Sequence, residues 1–422
     1  MLSLDFICQH PDVVRDALHK RGDIKNIDEI LRLAEQRRGL ITRSDGLYIS
    51  LKKLKEPVRS VPIDQRSTIN AQIKAISEDI QRLELQSADV DMRLRLLLLS
   101  LPNLPHPSVK EGDKTTVGEE LRRWGEPTPF FFEPQPHWEL GNRLGIIDTE
   151  AGIKVAGSRF VTLKGAGARL ERALISFMID VHTREHGYTE VMLPHLVKRS
   201  VMVGAGQLPN FETHAYACTE DELYLNPTAE VPLIGMHSDS ILPADMLPLR
   251  YVAWTTAFSR EAGSASRQNR GLLRLHQFNK VELFQFVLPQ DSPQTLEQIL
   301  QHAETILQQL ELSYRVVALN TAHLPFSATK SFGIEVWMPG EHDFIEISSV
   351  SNCETFQAQR ANIKYRAAGT GHATYLHTLN GSGLAVGRTM AAILETYQQA
   401  DGSLVVPKVL RPYMGTSLVS PP

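Results

Sequence analysis

The stretch that decides the fold covers residues 254–287 and reads WTTAFSREAGSASRQNRGLLRLHQFNKVELFQFV. Its second half alternates strictly, and strand side chains point to opposite faces in turn. One face carries Arg274, His276, Phe278, Lys280, Glu282, Phe284 and Phe286, and the other carries Leu275, Gln277, Asn279, Val281, Leu283, Gln285 and Val287. Residues 252–261 predict a partner strand, and the Gly-, Ser- and Arg-rich residues 262–270 predict a long hairpin loop. On a strand considered alone, such a row of charged side chains more often lies on the exposed face of an antiparallel sheet. Other parts of the chain must therefore decide between an exposed face and a functional site.

Length and composition indicate a globular protein with a large core. The 422 residues are 42% hydrophobic with a net charge of -4, which predicts two or three domains and excludes nucleic-acid binding through bulk positive charge. Cys8, Cys218 and Cys353 form no CxxC pair, so we expect neither disulfides nor a cysteine-rich zinc site, and a cytoplasmic location. No signal peptide is evident, and the apolar run at 94–101 is too short to span a bilayer. No membrane partner is therefore expected.

A heptad pattern runs through the first hundred residues. Leucines recur every seven residues at Leu33, Leu40, Leu47 and Leu54. After a proline-containing break at 56–68, steps of four and three residues continue through Ile69, Ile73, Ile76, Ile80, Leu83, Ser87, Val90, Leu94, Leu97 and Leu101. Two such helices predict an antiparallel coiled-coil hairpin, and the second would be about 50 Å long at ~1.5 Å per residue.

Two functions fit this hairpin. It could be a dimerisation rod, or an arm that binds a phosphate backbone. Residues 32–59 hold eight basic side chains against three acidic ones, which favours the second in a chain that is acidic overall. A solvated charged face is the simpler explanation for any single one of these residues.

The remainder predicts an α+β fold. Pro102, Pro105 and Pro107 end the hairpin, so we place the arm at 1–105 and a second domain at 106–422. Hairpins dominate this domain and no βαβ rhythm is present, which predicts a mainly antiparallel sheet flanked by helices. Its predicted elements are strands at 157–165, 188–193, 314–319, 333–338 and 343–349, helices at 169–186 and 293–312, a loop at 225–232, and a helix after residue 388.

Familiar nucleotide and metal motifs are missing from the sequence. It contains no GxxxxGK[ST] and no HExxH, and GAGA at 165–168 is only a partial glycine motif. Any nucleotide must therefore bind without a P-loop or Rossmann site.

Three segments together resemble seryl-tRNA synthetases, a family of class II aminoacyl-tRNA synthetases. They are Thr-Ala-Glu at 228–230, the hairpin ending in GLLRLHQFNKVE at 271–282, and NGSGLAVGR at 380–388. The resemblance covers essentially the whole chain. It implies ATP-dependent activation of L-serine and its transfer to serine tRNA, with selenocysteine tRNA as a further substrate. It also implies a homodimer formed through residues 159–194.

The resemblance implies an ATP site formed by Ser259, Arg260, Glu261, Arg274, Phe278, Glu346, Ser349 and Arg388. Glu261, Arg274 and Arg388 would be catalytic, since adenylate formation requires alignment and charge neutralisation more than a protein nucleophile. Glu346 and Ser349 would hold Mg²⁺ through hard oxygen ligands. Taken alone, Phe278 would more often be a core residue and Arg388 a solvated helix residue.

Serine selection is expected to involve four residues. By the resemblance, Thr228 and Glu230 would bind the ammonium group, and Glu282 and Ser382 would surround the hydroxyl. Buried groups that pair with a hydroxyl reject alanine, whereas threonine must be rejected by size. In isolation, Glu282 could equally be a cross-strand salt-bridge partner.

The hairpin departs from the family pattern at one position. The family carries aromatic-Arg-x-Glu, whose arginine is expected to touch the substrate carboxylate and the α-phosphate, but residues 258–261 here read Phe-Ser-Arg-Glu. A shift of one residue turns a side chain to the opposite strand face. Three explanations are open. A bulge could turn Arg260 toward the position of the missing arginine, a loop residue such as Arg267 or Arg270 could replace it, or serine activation is impaired. Our hypothesis is that Arg260 substitutes with reduced efficiency; the alternative function is a synthetase-like protein that binds tRNA or an adenylate.

Overall fold

The computed structural model describes residues 1–23, 25–56, 63–116, 118–260, 271–367, 369 and 371–422, with the side chains of 63–65 left out. The chain divides into two compact units, Met1–Pro102 and Asn103–Pro422. Within the described ranges, no helix is both long enough and apolar enough to cross a membrane.

The first unit is helical. Its helices are α1 (Leu4–Gln9), α2 (Pro11–Lys20), α3 (Asp28–Lys55) and α4 (Ile63–Ser100). Every residue of the predicted seam is buried or half-buried, and the fully buried ones include Leu33, Leu40, Ile80, Leu83, Val90 and Leu94. Apolar residues at heptad spacing therefore hold α3 against α4.

Polar contacts show that α3 and α4 run in opposite directions. Arg37 Nε lies 2.5 Å from Asp91 Oδ1, and Tyr48 donates to Glu84. Residue numbers thus rise along α3 as they fall along α4, which confirms the predicted antiparallel hairpin. Arg59, part of the predicted basic segment, lies outside the described residues.

The second unit contains many short strands and nine further helices among its described residues. The strands are β1 (Glu119–Trp124), β2 (Ile147–Asp148), β3 (Thr162–Leu163), β4 (Thr189–Glu190), β5 (Leu196–Lys198), β6 (Ala217–Cys218), β7 (Leu223–Leu225), β8 (Ile241–Pro243), β9 (Leu249–Phe258), β10 (Gln277–Val287), β11 (Tyr314–Ala318), β12 (Lys330–Met338), β13 (Asp343–Glu354), β14 (Lys364–Arg366), β15 (Thr374–Tyr375), β16 (His377–Ala385), β17 (Leu404–Val405) and β18 (Leu418–Val419). The helices are α5 (His137–Arg143), α6 (Thr149–Ala156), α7 (Ala166–Arg184), α8 (Arg199–Ala205), α9 (Glu230–Gly235), α10 (Ser292–Gln309), α11 (Phe356–Ala361), α12 (Val386–Tyr397) and α13 (Arg411–Met414).

Eight strands form the central sheet in the order β1-β11-β12-β13-β16-β10-β9-β4. Neighbours are antiparallel except β4, which runs parallel to β9. The predicted α+β class and mainly antiparallel sheet are therefore confirmed.

Three local predictions were wrong, one of them the strand predicted at 188–193, of which only Thr189–Glu190 is a strand. The strand predicted at 157–165 is reduced to Thr162–Leu163, because Gly157, Arg159 and Gly165 have positive φ and cannot continue a regular strand. The loop predicted at 225–232 ends earlier, since α9 begins at Glu230. Pro232 lies in the first turn of α9, where its missing N–H costs no helical hydrogen bond.

Strand β10 separates two hydrophobic cores. Val281, Leu283 and Val287 pack in one cluster, and Phe284 and Phe286 pack in the other. The interpretation of the charged row as an exposed face is therefore wrong for Glu282, Phe284 and Phe286, which are buried. The alternation itself is correct: both faces are buried because helices cover both sides of the sheet.

A bulge between β10 and β16 lies beside three packed histidines. Glu282 is opposite Ser382 while Val281 is opposite Leu384, which leaves Gly383 as the extra residue. A Cβ at Gly383 would lie 2.9 Å from the His182 Nε2 atom, so glycine allows this close approach. His182 Nδ1 lies 3.0 Å from His186 Nδ1, and the rings of His186 and His302 stack with centroids 4.1 Å apart.

We expect this histidine cluster to make the fold sensitive to acid. Burial, reinforced by His186, lowers the pKa of His182 from 6.5 to about 3. In the unfolded chain the His182 imidazole binds a proton near pH 6.5, whereas in the folded chain it stays neutral until the pH is much lower. The free energy of unfolding therefore falls as the pH decreases from 6.5 toward 3. At a pH of about 5 the loss is about 2 kcal/mol from His182 alone.

Urea unfolding at pH values of about 7.5 and 5 measures this loss. In His182→Gln the difference in unfolding free energy between the two pH values should shrink by about 2 kcal/mol. His372→Gln, at an exposed histidine, is the matched control. An unchanged pH dependence in His182→Gln would contradict the prediction.

Candidate active site

Two adjoining cavities open at the centre of the sheet. The acidic cavity, of about 370 Å³, includes Glu230 and Glu282 in its lining. The cationic cavity, of about 380 Å³, includes Arg274 and Arg388. Both cavities are lined by Pro227, Ser259, Lys280 and Ser349. Residues distant in sequence thus meet at one cleft.

Glu282 is a buried carboxylate in the lining of the acidic cavity. It is 1% exposed, and its Oε2 atom accepts a hydrogen bond from Thr228 Oγ1 at 2.6 Å. Lys280 Nζ lies 2.5 Å from the same oxygen and donates to Thr228 Oγ1 at 3.3 Å. The alternation of β10 places Lys280 and Glu282 on one face, so this contact follows directly from strand geometry.

Glu230 is the second carboxylate of the acidic cavity. Its Oε1 atom accepts hydrogen bonds from the side-chain amides of Gln357 and Asn380. Burial, reinforced by Glu282, raises the pKa of Glu230 to about 7. The carboxylate is thus held by neutral donors, and a substrate ammonium group would favour its charged form.

Ser382 lines the cationic cavity rather than the acidic one. It is nevertheless the cross-strand neighbour of Glu282, and its carbonyl accepts a hydrogen bond from Ser348 at 2.7 Å. The structure therefore brings Glu230 and Glu282 into the lining of one cavity, with Thr228 hydrogen-bonded to Glu282, and places Ser382 in the lining of the adjoining cationic cavity.

Arg388 joins two walls of the cationic cavity. Its Nε atom donates to Leu273 O at 3.2 Å, and its Nη1 atom donates to Glu346 O at 2.6 Å. Arg274 and Phe278 line the same cavity. Two guanidinium groups and an aromatic face thus surround a space suited to a phosphate chain with a planar base.

Glu346 and Ser349 fit a divalent cation that also binds phosphate. Both line the cationic cavity, and the Glu346 carboxylate, half exposed, lies 3.8 Å from Arg388 Nη1. Desolvation raises the pKa of Glu346 and Arg388 opposes this. Among the described residues, no three His, Cys, Asp or Glu side chains form a metal cage. Mg²⁺ is commonly held by one or two carboxylates with substrate phosphates supplying further oxygens, so this pair suits it.

Buried hydrogen bonds through His137, which the sequence did not predict, hold the start of the 271–282 segment. The Leu272 N–H donates to His137 Nε2 at 3.1 Å, so the ring carries its proton on Nδ1, which lies 2.7 Å from Glu395 Oε1. His137 and Glu395 are both 0% exposed. Gly271 has φ +61°, and a Cβ there would lie 2.2 Å from His137 Nε2. No sequence pattern distinguishes His137, or Gln357 beside Glu230, from an ordinary buried polar residue.

Ser259 and Arg260 take different positions. Ser259 lines both cavities. Arg260 is exposed, its guanidinium lies 4.6 Å from the centroid of the Tyr216 ring, and it is not among the described residues that line either cavity. Glu261, Arg267 and Arg270 lie outside the described residues.

This fold and site define the class II aminoacyl-tRNA synthetases. Residues 212–397 match the family model described as tRNA synthetase class II core domain (G, H, P, S and T). Residues 1–105 match the model described as seryl-tRNA synthetase N-terminal domain.

Individual relatives specify the family. The serine--tRNA ligase of Geobacillus kaustophilus is 50% identical over 416 residues, with 96% of each chain covered, and that of Bacillus subtilis is 48% identical over 407 residues, again with 96% of each covered. The crystal structure of seryl-tRNA synthetase from Pyrococcus horikoshii complexed with ATP matches with a TM-score of 0.93 at 34% identity and 100% coverage of both chains. The chain belongs to the seryl-tRNA synthetase family and is a ligase that forms aminoacyl-tRNA.

Proposed function

We propose that the two cavities activate L-serine with ATP and transfer the seryl group to the 3′ end of serine tRNA. The observation that carries this proposal is the meeting of the acidic and cationic cavities along Ser259, Lys280 and Ser349. An amino acid in one cavity and a nucleotide in the other would have their reacting atoms adjacent, which is the main requirement of adenylate formation.

Recognition of serine follows from the two carboxylates. Glu230, with Thr228 beside it, binds the ammonium group, and Glu282 accepts a hydrogen bond from the hydroxyl, with Ser382 as its cross-strand neighbour. Alanine would leave the Glu282 carboxylate buried without this donor, which disfavours its binding.

Activation depends on charge neutralisation in the cationic cavity. Arg274 and Arg388 bind the phosphates, and Phe278 stacks on the adenine, whose amino group Glu261 reads. Glu346 and Ser349 would hold Mg²⁺, which would neutralise phosphate charge. Ser259 and Arg260 complete the set of residues proposed to bind ATP. Ser259 lies where the two cavities meet, whereas Arg260 would have to leave its contact with Tyr216 to reach that point.

Serine-dependent exchange of labelled pyrophosphate into ATP, followed by aminoacylation of total tRNA, tests the proposal. We expect exchange with serine and at least about a hundredfold less with alanine or threonine. Binding of a seryl-adenylate analogue without exchange would instead indicate the synthetase-like binding protein. Family membership over nearly the full length does not favour that alternative.

Several finer properties belong to the same proposal. The α3–α4 hairpin binds the long variable arm of serine tRNA, and selenocysteine tRNA is charged with serine as well. Two copies form a homodimer through residues 159–194. The enzyme works in the cytoplasm, a location supported by the free state of Cys8, Cys218 and Cys353.

Reversing the charge of the lysines near the end of α3 should weaken tRNA binding selectively. Lys52, Lys53 and Lys55 are all exposed, and a phosphate backbone attracts them without sequence preference. In the triple Lys→Glu variant we expect the KM for tRNA in aminoacylation to rise about tenfold or more. Pyrophosphate exchange, which needs no tRNA, should stay unchanged.

Lys408→Glu, at an exposed lysine of the second unit, is the control for charge alone. The difference between triple variant and wild type should diminish at high salt. An unchanged KM for tRNA in the triple variant would argue for the dimerisation rod instead.

A further inference from the structure

We infer that Lys280 is the cation that neutralises the reacting carboxylate and α-phosphate in this chain. The inference rests on the proposed function. Of the four described residues that line both cavities, Pro227, Ser259, Lys280 and Ser349, Lys280 is the one with a positive charge. The junction of the cavities is where substrate carboxylate and phosphate must meet, and a cation there acts on both.

The contacts of Lys280 hold its ammonium group in place. Its side chain is 19% exposed, and Nζ lies 2.5 Å from Glu282 Oε2 and 3.3 Å from Thr228 Oγ1. An ammonium group has three N–H donors. Within the part of the chain that the structure describes, Glu282 and Thr228 take two of them, which leaves the third for a substrate oxygen.

The chemistry at this point needs a fixed charge and no proton transfer. A carboxylate oxygen of serine forms a bond to the α-phosphorus, and the bond from that phosphorus to the bridging oxygen of the β-phosphate breaks. Pyrophosphate leaves with the electron pair. Negative charge crowds together in this step, and a preorganised cation stabilises it without reorganisation.

Neighbouring residues explain why this role falls to Lys280. Ser259 lines both cavities but carries no charge. The Arg260 guanidinium lies over Tyr216, and the Arg260 N–H donates to His214 O at 2.8 Å, which holds the backbone there as well. Arg388 lines the cationic cavity alone and is bonded to Leu273 and Glu346.

A double-substitution cycle tests the inference. Lys280→Met should lower kcat for serine-dependent pyrophosphate exchange at least about a hundredfold. Ser259→Arg, at the residue that directly follows strand β9 and lines both cavities, supplies a cation to the same junction. We expect Ser259→Arg to raise the kcat of the Lys280→Met enzyme at least about tenfold. This gain should be at least about ten times larger than the gain that Ser259→Arg gives in the enzyme that retains Lys280. A packing defect at position 280 could not be repaired from position 259.

Two outcomes would overturn the inference. One is a folded Lys280→Met enzyme whose kcat stays within about threefold of wild type; the other is an equal gain from Ser259→Arg in both backgrounds. Thermal melting establishes folding, and Lys280→Gln, which keeps a donor for Glu282, replaces the methionine variant if that one unfolds. Absence of exchange in the wild type would instead refute the proposed function.

Discussion

Replacing Glu282 by alanine should lower kcat/KM for serine in pyrophosphate exchange about a thousandfold, or about 4 kcal/mol. The carboxylate is buried and accepts from Thr228 Oγ1 at 2.6 Å while pairing with Lys280. Its removal leaves a hydroxyl and an ammonium group without their shared acceptor, and removes the group proposed to bind the serine hydroxyl. The KM for ATP should change far less, since Glu282 does not line the cationic cavity.

Two further variants separate charge from hydrogen bonding. Glu282→Gln keeps an acceptor for Thr228 and loses the charge, so its activity should fall between wild type and Glu282→Ala. Glu119→Ala removes an exposed glutamate at the edge of the same sheet and should stay within about twofold of wild type. A folded Glu282→Ala enzyme within about tenfold of wild type would remove Glu282 from the serine site.

Arg388→Ala should lower kcat/KM for ATP by a factor of about a hundred to a thousand. Its guanidinium donates to Leu273 O and Glu346 O, both in residues that line the cationic cavity, and it is proposed to bind phosphate there. Arg388→Lys should recover little of this loss, because an ammonium group lacks the planar fork that spans two carbonyls.

Initial rates of pyrophosphate exchange across ATP concentrations measure the effect. Arg411→Ala is the matched control, since Arg411 is an exposed arginine that also donates to a backbone carbonyl, at Val406. Equal losses in the alanine variants of Arg388 and Arg411 would indicate general destabilisation. A lysine variant close to wild type would show that charge alone suffices at position 388.

Local periodicity predicted the parts of the fold that depend on neighbours in sequence. Heptad spacing located the α3–α4 seam, and alternation placed Lys280 and Glu282 on one face of β10. Alternation could not reveal that Phe284 and Phe286 are buried, because their covering cluster includes α8 and α9 residues distant in the chain.

The residues of the candidate site that belong to a recognisable sequence motif could be predicted, and those outside such motifs could not. The segments holding Glu230, Glu282 and Arg388 were recognisable together, and the structure places these residues around one cleft. His137 reaches Leu272 from 135 residues away, and Gln357 reaches Glu230 from 127. Contacts over such separations depend on the tertiary fold and leave no short-range pattern.

The two anchors on α12 have a consequence for nucleotide binding. Arg388 and Glu395 are seven residues apart, close to two helical turns, so they lie on the same side of a single rigid rod. Arg388 contacts Leu273, and Glu395 acts on Leu272 through His137. We therefore expect the proposed binding of phosphate at Arg388 to be energetically linked to the conformation of the hairpin base, so that by reciprocity a substitution of His137 changes the affinity for ATP.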